Sequence, residues 1–339
     1  MPRAFTLTVA GLLVTVVTLS VTAAGKPGGA DTAVGTVFLP NPVADLQDQS
    51  LTDQKDADYA ALAPAYHRVT LTNLDGSGYL RGDWATIVSE TGNPAFSPAG
   101  VFDFNRHQDE FEQVMAYYWI TEAQNYIQRL GFGTGLFPPV NKESQRVRIN
   151  QWGADNSFFT DKKDELRFGK GGVDDAEDAE VILHEYGHAI QDSQQTPFGF
   201  GFSVEARSIG EGFSDYWAVT VSSLVAPTPD PACVADWDSV SYTSKTPHCL
   251  RRVDTNLHYP QDLNGAVHHD GMIWSRALWD IRAALGATQA DTIILNAQFG
   301  MPDPTMPQLA AQTVAVAKQI YGNGAATKVK AAFVARGIL

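Results

Sequence analysis

The sequence predicts an α+β protein with a β-rich N-terminal part and a helical C-terminal part. Short segments that alternate apolar and polar residues, as strands do, lie at residues 66–72, 146–150 and 166–168. Segments with apolar residues at helical spacing dominate the second half of the chain. A chain of 339 residues is long enough to bury a large core in two lobes.

Composition narrows the class of partner. The chain is 44% apolar and carries a formal net charge of −14, which argues against nucleic acid or an anionic membrane surface as a partner. We expect a soluble, acidic protein that is a monomer.

The N-terminal residues 1–24 are typical of a secretory signal peptide. Arg3 supplies a basic start, an apolar run follows, and small residues at 22–24 suit cleavage. The alternative is an uncleaved membrane anchor, since the run is about long enough to span a bilayer. We divide the rest into an N-terminal arm with a β-rich region at 25–103 and a main domain at 104–339.

The first half contains three predicted features. Residues 66–81 combine an alternating segment, a turn-like Asp75-Gly76-Ser77-Gly78 and a second short segment, so they predict a hairpin. Apolar residues at helical spacing predict a long core helix over 108–130. The segments at 146–150 and 166–168 are two further strand candidates.

From residue 174 onwards the sequence predicts mainly helices. The acidic residues at 174–178 suit a helix N-terminus, because their negative charge is attracted to the positive end of the helix dipole. Further helical segments are predicted after this one, at 204–223, 264–285, 309–321 and 327–335.

Two cysteines occur in the chain. Cys233 lies in a loop-rich segment at 227–247, and Cys249 lies just after it. In an exported protein they predict one disulfide, and two buried free thiols are the alternative. Their spacing does not suit a metal site.

The helix predicted over 180–190 carries the pattern His-Glu-x-x-His. His184 and His188 lie four residues apart, so their imidazoles project from one helix face and can bind the same metal ion. Zinc suits such a site, and Glu185 beside the first histidine could take a proton from a water that the metal acidifies.

A catalytic zinc site needs a third protein ligand, and Glu211 in Gly210-Glu211-Gly212-Phe213-Ser214-Asp215 is the candidate. The intervening residues leave room for a turn and an antiparallel helix. Asp215 lies on the same helix face as Glu211, where it could accept the second N–H of a ligand histidine and orient its ring.

These motifs, with Val267-His268-His269-Asp270-Gly271-Met272-Ile273-Trp274 downstream, resemble those of the gluzincin metallopeptidases of the thermolysin and fungalysin type. The glutamate motif is closest to the fungalysin version, and the resemblance extends from about residue 104 to 337. It implies a two-lobed zincin fold with the zinc helix at the floor of the cleft, one catalytic Zn²⁺, and secreted endopeptidase activity.

The resemblance also implies roles for individual residues. His184, His188 and Glu211 would be the zinc ligands, and Glu185 the general base and later the proton donor. His268, rather than His269, would stabilise the oxyanion as water attacks the peptide carbonyl.

The same resemblance implies four further site residues. Asp262 would orient His268, and Arg251, in preference to Arg252, would bind a substrate carbonyl. Asn156 and Ser157 match the edge strand that pairs with the substrate backbone.

The chain departs from thermolysin in three ways. Thermolysin has an oxyanion tyrosine between its two zinc motifs, and residues 189–208 contain none. Ser222 lies where the paired calcium site has a carboxylate, so we predict no calcium there even though Glu180 could serve. We expect no long propeptide of the family's kind, because only about eighty residues separate the predicted signal from the start of the resemblance, and residues 33–102 are either an integral β lobe or a short pro-region.

Two other functions stay open at this point. The chain could be a secreted binding protein that keeps the zincin fold without turnover, or a zinc hydrolase that acts on a bond other than a peptide bond. The complete ligand set, with Glu185 and His268 in place, favours the peptidase.

Overall fold

The structure, a computed structural model, describes residues 31–88, 93–194 and 202–339. The predicted signal segment lies outside the described residues. Within those ranges, no helix is both long and apolar enough to cross a membrane.

The strands of the described ranges form three small sheets. Their bounds are β1 Ala33–Val37, β2 His67–Leu71, β3 Ala85–Ile87, β4 Val101–Phe102, β5 Gln145–Arg148, β6 Phe158–Thr160, β7 Glu165–Arg167, β8 Cys233–Val234 and β9 Arg251–Arg252. The first sheet has the order β2-β1-β4, the second β3-β5-β7-β6, and the third is the pair β8-β9. In the second sheet β6 runs antiparallel to β7 at one edge, with the parallel strands β5 and β3 beyond.

Helices make up most of the C-terminal part. Their bounds are α1 Pro42–Leu46, α2 Asp109–Arg129, α3 Ala179–Ser193, α4 Val204–Val225, α5 Val267–Leu285, α6 Ala287–Gln298 and α7 Met306–Ala335. The β-rich N-terminal part and the helical C-terminal part confirm the predicted α+β class.

Helix α2 is the centre of the hydrophobic core. Phe111, Met115 and Trp119 on this helix are completely buried, each burial contributing about 1.5–3 kcal/mol to folding. Phe38, just after β1, packs its ring on that of Phe111 with centroids 4.8 Å apart. The described residues before position 104 therefore share a hydrophobic core with the helical part of the chain.

Glycines allow the three helices α3, α4 and α5 to pack closely. A Cβ on Gly187 of α3 would lie 2.6 Å from Ser214 Oγ of α4, and one on Gly212 of α4 would lie 2.2 Å from the Gly271 carbonyl of α5. Any larger residue would push these helices apart. The close contacts hold the histidine pair, the glutamate motif and the downstream histidine segment against one another.

One of the predicted elements is wrong, and one helix was missed. The hairpin over 66–81 does not form, because β2 pairs antiparallel with the earlier strand β1 instead of with its own continuation. Helix α6 at Ala287–Gln298 was not predicted at all. The two last predicted helical segments do form, as the two parts of α7 on either side of a non-helical Gly322.

Candidate metal centre and substrate cleft

Helix α3 begins where the acidic segment predicted it would. The Asp178 carboxylate caps the helix by accepting a hydrogen bond from the Glu180 backbone N–H at 2.9 Å. Ile182, Leu183 and Tyr186 are completely buried and fix the helix against the core. The face that carries His184 and His188 is thereby directed towards α4.

His184, His188 and Glu211 converge. One ligand atom from each side chain lies within 4.8 Å of the other two. Glu211 Oε2 is 3.2 Å from His184 Nε2 and 3.9 Å from His188 Nε2. The same buried oxygen has no hydrogen-bond donor among the described residues.

This donor set fits zinc. Two imidazole nitrogens and one carboxylate oxygen are the ligands of catalytic zinc sites that keep a fourth position open. A buried carboxylate oxygen without a donor is costly unless a ligand or ion satisfies it. The residues present are therefore suited to hold the metal that the sequence predicted.

Asp215 orients the first of these histidines. Its Oδ1 lies 2.8 Å from His184 Nδ1, and its two oxygens also accept hydrogen bonds from Nε and Nη2 of Arg251, both at 2.7 Å. Burial alone would raise the pKa of Asp215, but the Arg251 charge and these hydrogen bonds outweigh it and hold the pKa well below its usual range. Asp215 is thus a carboxylate that fixes the His184 ring with Nε2 turned towards Glu211.

Glu185 is buried beside the convergent ligands and lines the adjoining cavity. Burial raises its pKa to about 7, although the neighbouring His184 acts in the opposite direction. A carboxylate with such a pKa can both accept and return a proton near neutral pH.

The structure brings His268 into the same group. His268 lies in the first turn of α5, and its Nε2 is 3.2 Å from Glu211 Oε2. Its side chain is 59% exposed, so a substrate can reach it. The adjacent His269 instead contacts Asp270, with its Nδ1 3.2 Å from that carboxylate.

Asp262 does not occupy the predicted position beside His268. Its carboxylate accepts a hydrogen bond from the His258 backbone N–H at 2.7 Å and lies 3.8 Å from the ring of the same residue. Asp262 therefore stabilises the turn before α5, and no contact between it and His268 occurs among the described residues.

A cavity of about 220 Å³ adjoins the ligands. The predicted substrate-binding residues Asn156 and Ser157, which precede the edge strand β6, lie on its wall with Arg251 and Glu185. Arg251 reaches the cavity from β9, which the Cys233–Cys249 disulfide ties to β8. The disulfide that the sequence predicted is present in the structure.

Sequence reasoning missed three residues of this cavity: Asp175, Asp238 and Tyr242. Tyr242 is the nearest counterpart to the tyrosine that residues 189–208 lack, but its hydroxyl donates to the Asp155 carbonyl at 2.9 Å. No motif surrounds these residues, so only their approach in the folded chain reveals them.

Glu180, four residues before His184, has protein donors on both carboxylate oxygens. Ser222 Oγ donates to Oε1 and the Ala235 backbone N–H to Oε2, each at 2.7 Å. The absence of calcium at this location remains a prediction, and these two bonds are consistent with it.

Together, the α+β fold and the convergence of two histidines and a glutamate define a zincin-type zinc metallopeptidase. The family model described as "Fungalysin metallopeptidase (M36)" matches residues 106–331. The chain therefore belongs to the fungalysin family of metallopeptidases, as its motifs predicted.

A solved structure supports the fold. The precursor of protealysin, a metalloproteinase from Serratia proteamaculans, is similar to this chain with a TM-score of 0.59 and 18% sequence identity. The similarity covers 75% of this chain and 87% of that chain. No curated protein sequence matches the chain.

Proposed function

We propose that this chain is a secreted endopeptidase in which His184, His188 and Glu211 hold one catalytic zinc ion. The observation that carries the proposal is the convergence of these three ligands beside a buried Glu185 and a cavity open to substrate. Zinc bound there would supply a Lewis acid that polarises the scissile carbonyl and makes water acidic enough to attack it.

Glu185 performs the proton transfers in this proposal. In the first step it removes a proton from the attacking water as the C–O bond forms, and in the second it returns that proton to the nitrogen of the leaving amine as the peptide C–N bond breaks. Its buried position favours the protonated form after the first step, which prepares it for the second.

His268 and Arg251 stabilise the negative charge that develops on the carbonyl oxygen. Burial lowers the pKa of His268, so the neutral ring can donate one N–H. Arg251 donates hydrogen bonds from Nε and Nη2 to Asp215, which leaves Nη1 available to donate to a substrate carbonyl. Asn156 and Ser157 bind the substrate backbone along β6.

We also propose that residues 33–103 stay in the mature enzyme. Buried Arg106 donates to Asp53 at 2.6 Å and to Glu177, which lies just before α3, at 2.9 Å. Removing the segment that contains Asp53 would take one partner from a buried cation, which is strongly destabilising. N-terminal sequencing of the secreted active enzyme would reveal a start after residue 103 if the segment were a pro-region.

The proposed function is tested by casein hydrolysis. Purified enzyme should cleave casein, lose activity on dialysis against a chelator, and regain it with one equivalent of zinc. Secretion is supported by the disulfide, which is typical of oxidising compartments. Hydrolysis that persists after complete removal of metal would contradict the proposal.

A further inference from the structure

The cavity beside the candidate metal centre is acidic at one end. Asp175 and Asp238 both line it, and one oxygen of each lies within 4.8 Å of the other and of an Asp155 oxygen. Asp175 precedes α3, and Asp238 follows β8, so two distant parts of the chain bring these carboxylates together.

Among the described residues, the Asp238 carboxylate has no hydrogen-bond partner and the Asp175 carboxylate has one oxygen without a donor. Asp238 is 3% exposed, and its Oδ1 is buried. Asp175 uses Oδ2 to accept from Ser157 Oγ and the Gly169 backbone N–H, whereas its buried Oδ1 has no donor. Unpaired buried oxygens of this kind are rare and costly, and they point to a ligand that supplies donors.

Among the described residues, no lysine or arginine forms an ion pair with Asp155, Asp175 or Asp238 at this end of the cavity. Arg251 is the positive group that acts on Asp238, but its guanidinium is held on Asp215. Tyr242 supplies a hydroxyl to Asp155 and adds no charge. Burial raises the pKa of Asp175 to about 8, so at neutral pH Asp175 keeps its proton until a cationic group binds beside it.

Apolar side chains also line the cavity. Val181, Val234 and Leu250 share its wall with Glu185 and His268, the residues that would surround the scissile bond. Such a pocket matches a side chain with a long aliphatic stem and a charged tip.

We infer that this pocket binds a lysine or arginine side chain of the substrate next to the scissile bond, with Asp238 and Asp175 holding its charged end. The inference rests on the proposed peptidase function and names its substrate class. Asp238 and Asp175 are specificity-determining residues, and they have no part in the bond-breaking steps.

A divalent cation is the competing occupant, because three carboxylates this close also suit calcium. The apolar residues Val181, Val234 and Leu250, and the presence of Glu185 in the same cavity, favour a substrate side chain, since an ion would need neither. The experiments below therefore distinguish a basic substrate side chain from a bound divalent cation.

The first experiment compares matched peptides on the zinc-loaded enzyme. Cleavage sites are mapped by mass spectrometry in a mixed peptide library, and the best site is then resynthesised with lysine or with norleucine, which has a similar stem but no charge. We expect kcat/KM to be at least about tenfold higher for lysine, as for a hydrogen bond to a charged group. Equal or better cleavage of the norleucine peptide would overturn the inference while leaving the peptidase function intact, and failure to cleave any peptide would instead contradict the proposed function.

The second experiment uses Asp238→Asn, with Asp236→Asn as the matched control. Asp236 is also a buried aspartate with an oxygen that has no donor, two residues away, but it does not line the cavity. Asp238→Asn should lower the lysine-to-norleucine ratio of kcat/KM by about tenfold or more, and Asp236→Asn should leave the ratio unchanged. If Asp238→Asn fails to fold, the wild-type peptide comparison still decides the question.

Calorimetric titration of the zinc-loaded enzyme with calcium tests the competing occupant. We expect no stoichiometric binding that depends on Asp238. Calcium binding that Asp238→Asn abolishes and Asp236→Asn retains, together with no preference for lysine, would assign the acidic end to an ion and overturn the inference.

Discussion

Arg251 donates two hydrogen bonds of 2.7 Å to Asp215, one to each carboxylate oxygen. Asp215 also lies 2.8 Å from His184 Nδ1, so the arginine, the carboxylate and the ligand histidine form one buried unit. The sequence predicted separate roles for Asp215 and Arg251, one on a histidine and one on the substrate. Their pairing couples the metal centre to the wall of the substrate cavity.

Removing the Asp215 charge should therefore weaken zinc binding. Asp215→Asn removes the negative charge that pairs with Arg251 and replaces one of the two acceptor oxygens with an NH2 donor, so His184 and Arg251 must compete for the single oxygen that remains. We expect zinc affinity to fall about 10–100-fold, measured by competition with a chromophoric chelator. Asp280→Asn, which removes a carboxylate paired with Arg276 far along α5, is the control and should bind zinc normally. Unchanged affinity in Asp215→Asn would contradict the orienting role.

Glu185→Gln separates catalysis from metal binding. The amide cannot accept the proton of the attacking water, so kcat/KM should fall by at least about 100-fold while the zinc content stays near one per chain. Glu211→Gln provides the contrast, because it should lose the metal itself. The two readouts are peptide hydrolysis and metal analysis, and a Glu185→Gln enzyme that kept most of its activity would disprove the role of this residue as the base.

Parts of the site that are formed by residues close together in the chain could be predicted from the sequence, because a short motif or a helical periodicity identifies them. Helical periodicity and the acidic cap located α3, and the spacing of His184 and His188 placed both on one face. The glutamate motif identified Glu211 in the same way, from residues close together in the chain.

The rest of the site depends on tertiary contacts. The pairing of β2 with β1 joins segments separated by a helix and a long loop, so an equally plausible local hairpin was preferred. Asp175 and Asp238 are separated by two long helices, and neither belongs to a motif. For Asp262, the sequence predicted a contact that does not form. Its carboxylate was expected to orient His268, but in the folded chain it contacts His258.

The Cys233–Cys249 disulfide should stabilise the segment that carries Arg251. It closes a loop with a sequence separation of 16, for which the chain-entropy model gives about 3 kcal/mol. We expect the double variant Cys233→Ser/Cys249→Ser to lose about this much free energy of unfolding, measured by urea denaturation of the zinc-loaded protein. A loss below about 0.5 kcal/mol would show that the remaining contacts of β8 and β9 suffice.

Asp291 should make stability depend on pH. This carboxylate is completely buried in α6 and accepts hydrogen bonds from the hydroxyl groups of Tyr126, at 2.5 Å, and Tyr216. Burial raises its pKa from the ordinary value of 3.8 to about 6, although both hydrogen bonds act in the opposite direction. Between these two values the folded chain keeps a proton that the unfolded chain has lost.

The sign follows from this difference in bound protons. Because the folded state binds more protons in that window, the free energy of unfolding falls as the pH rises from about 4 to about 6. Asp291→Asn has no such proton to lose, so its stability relative to wild type should improve between pH 4 and pH 7, by up to about 3 kcal/mol. Urea denaturation of both proteins at the two pH values measures this difference directly, and parallel changes in the two proteins would mean that Asp291 does not titrate in the window.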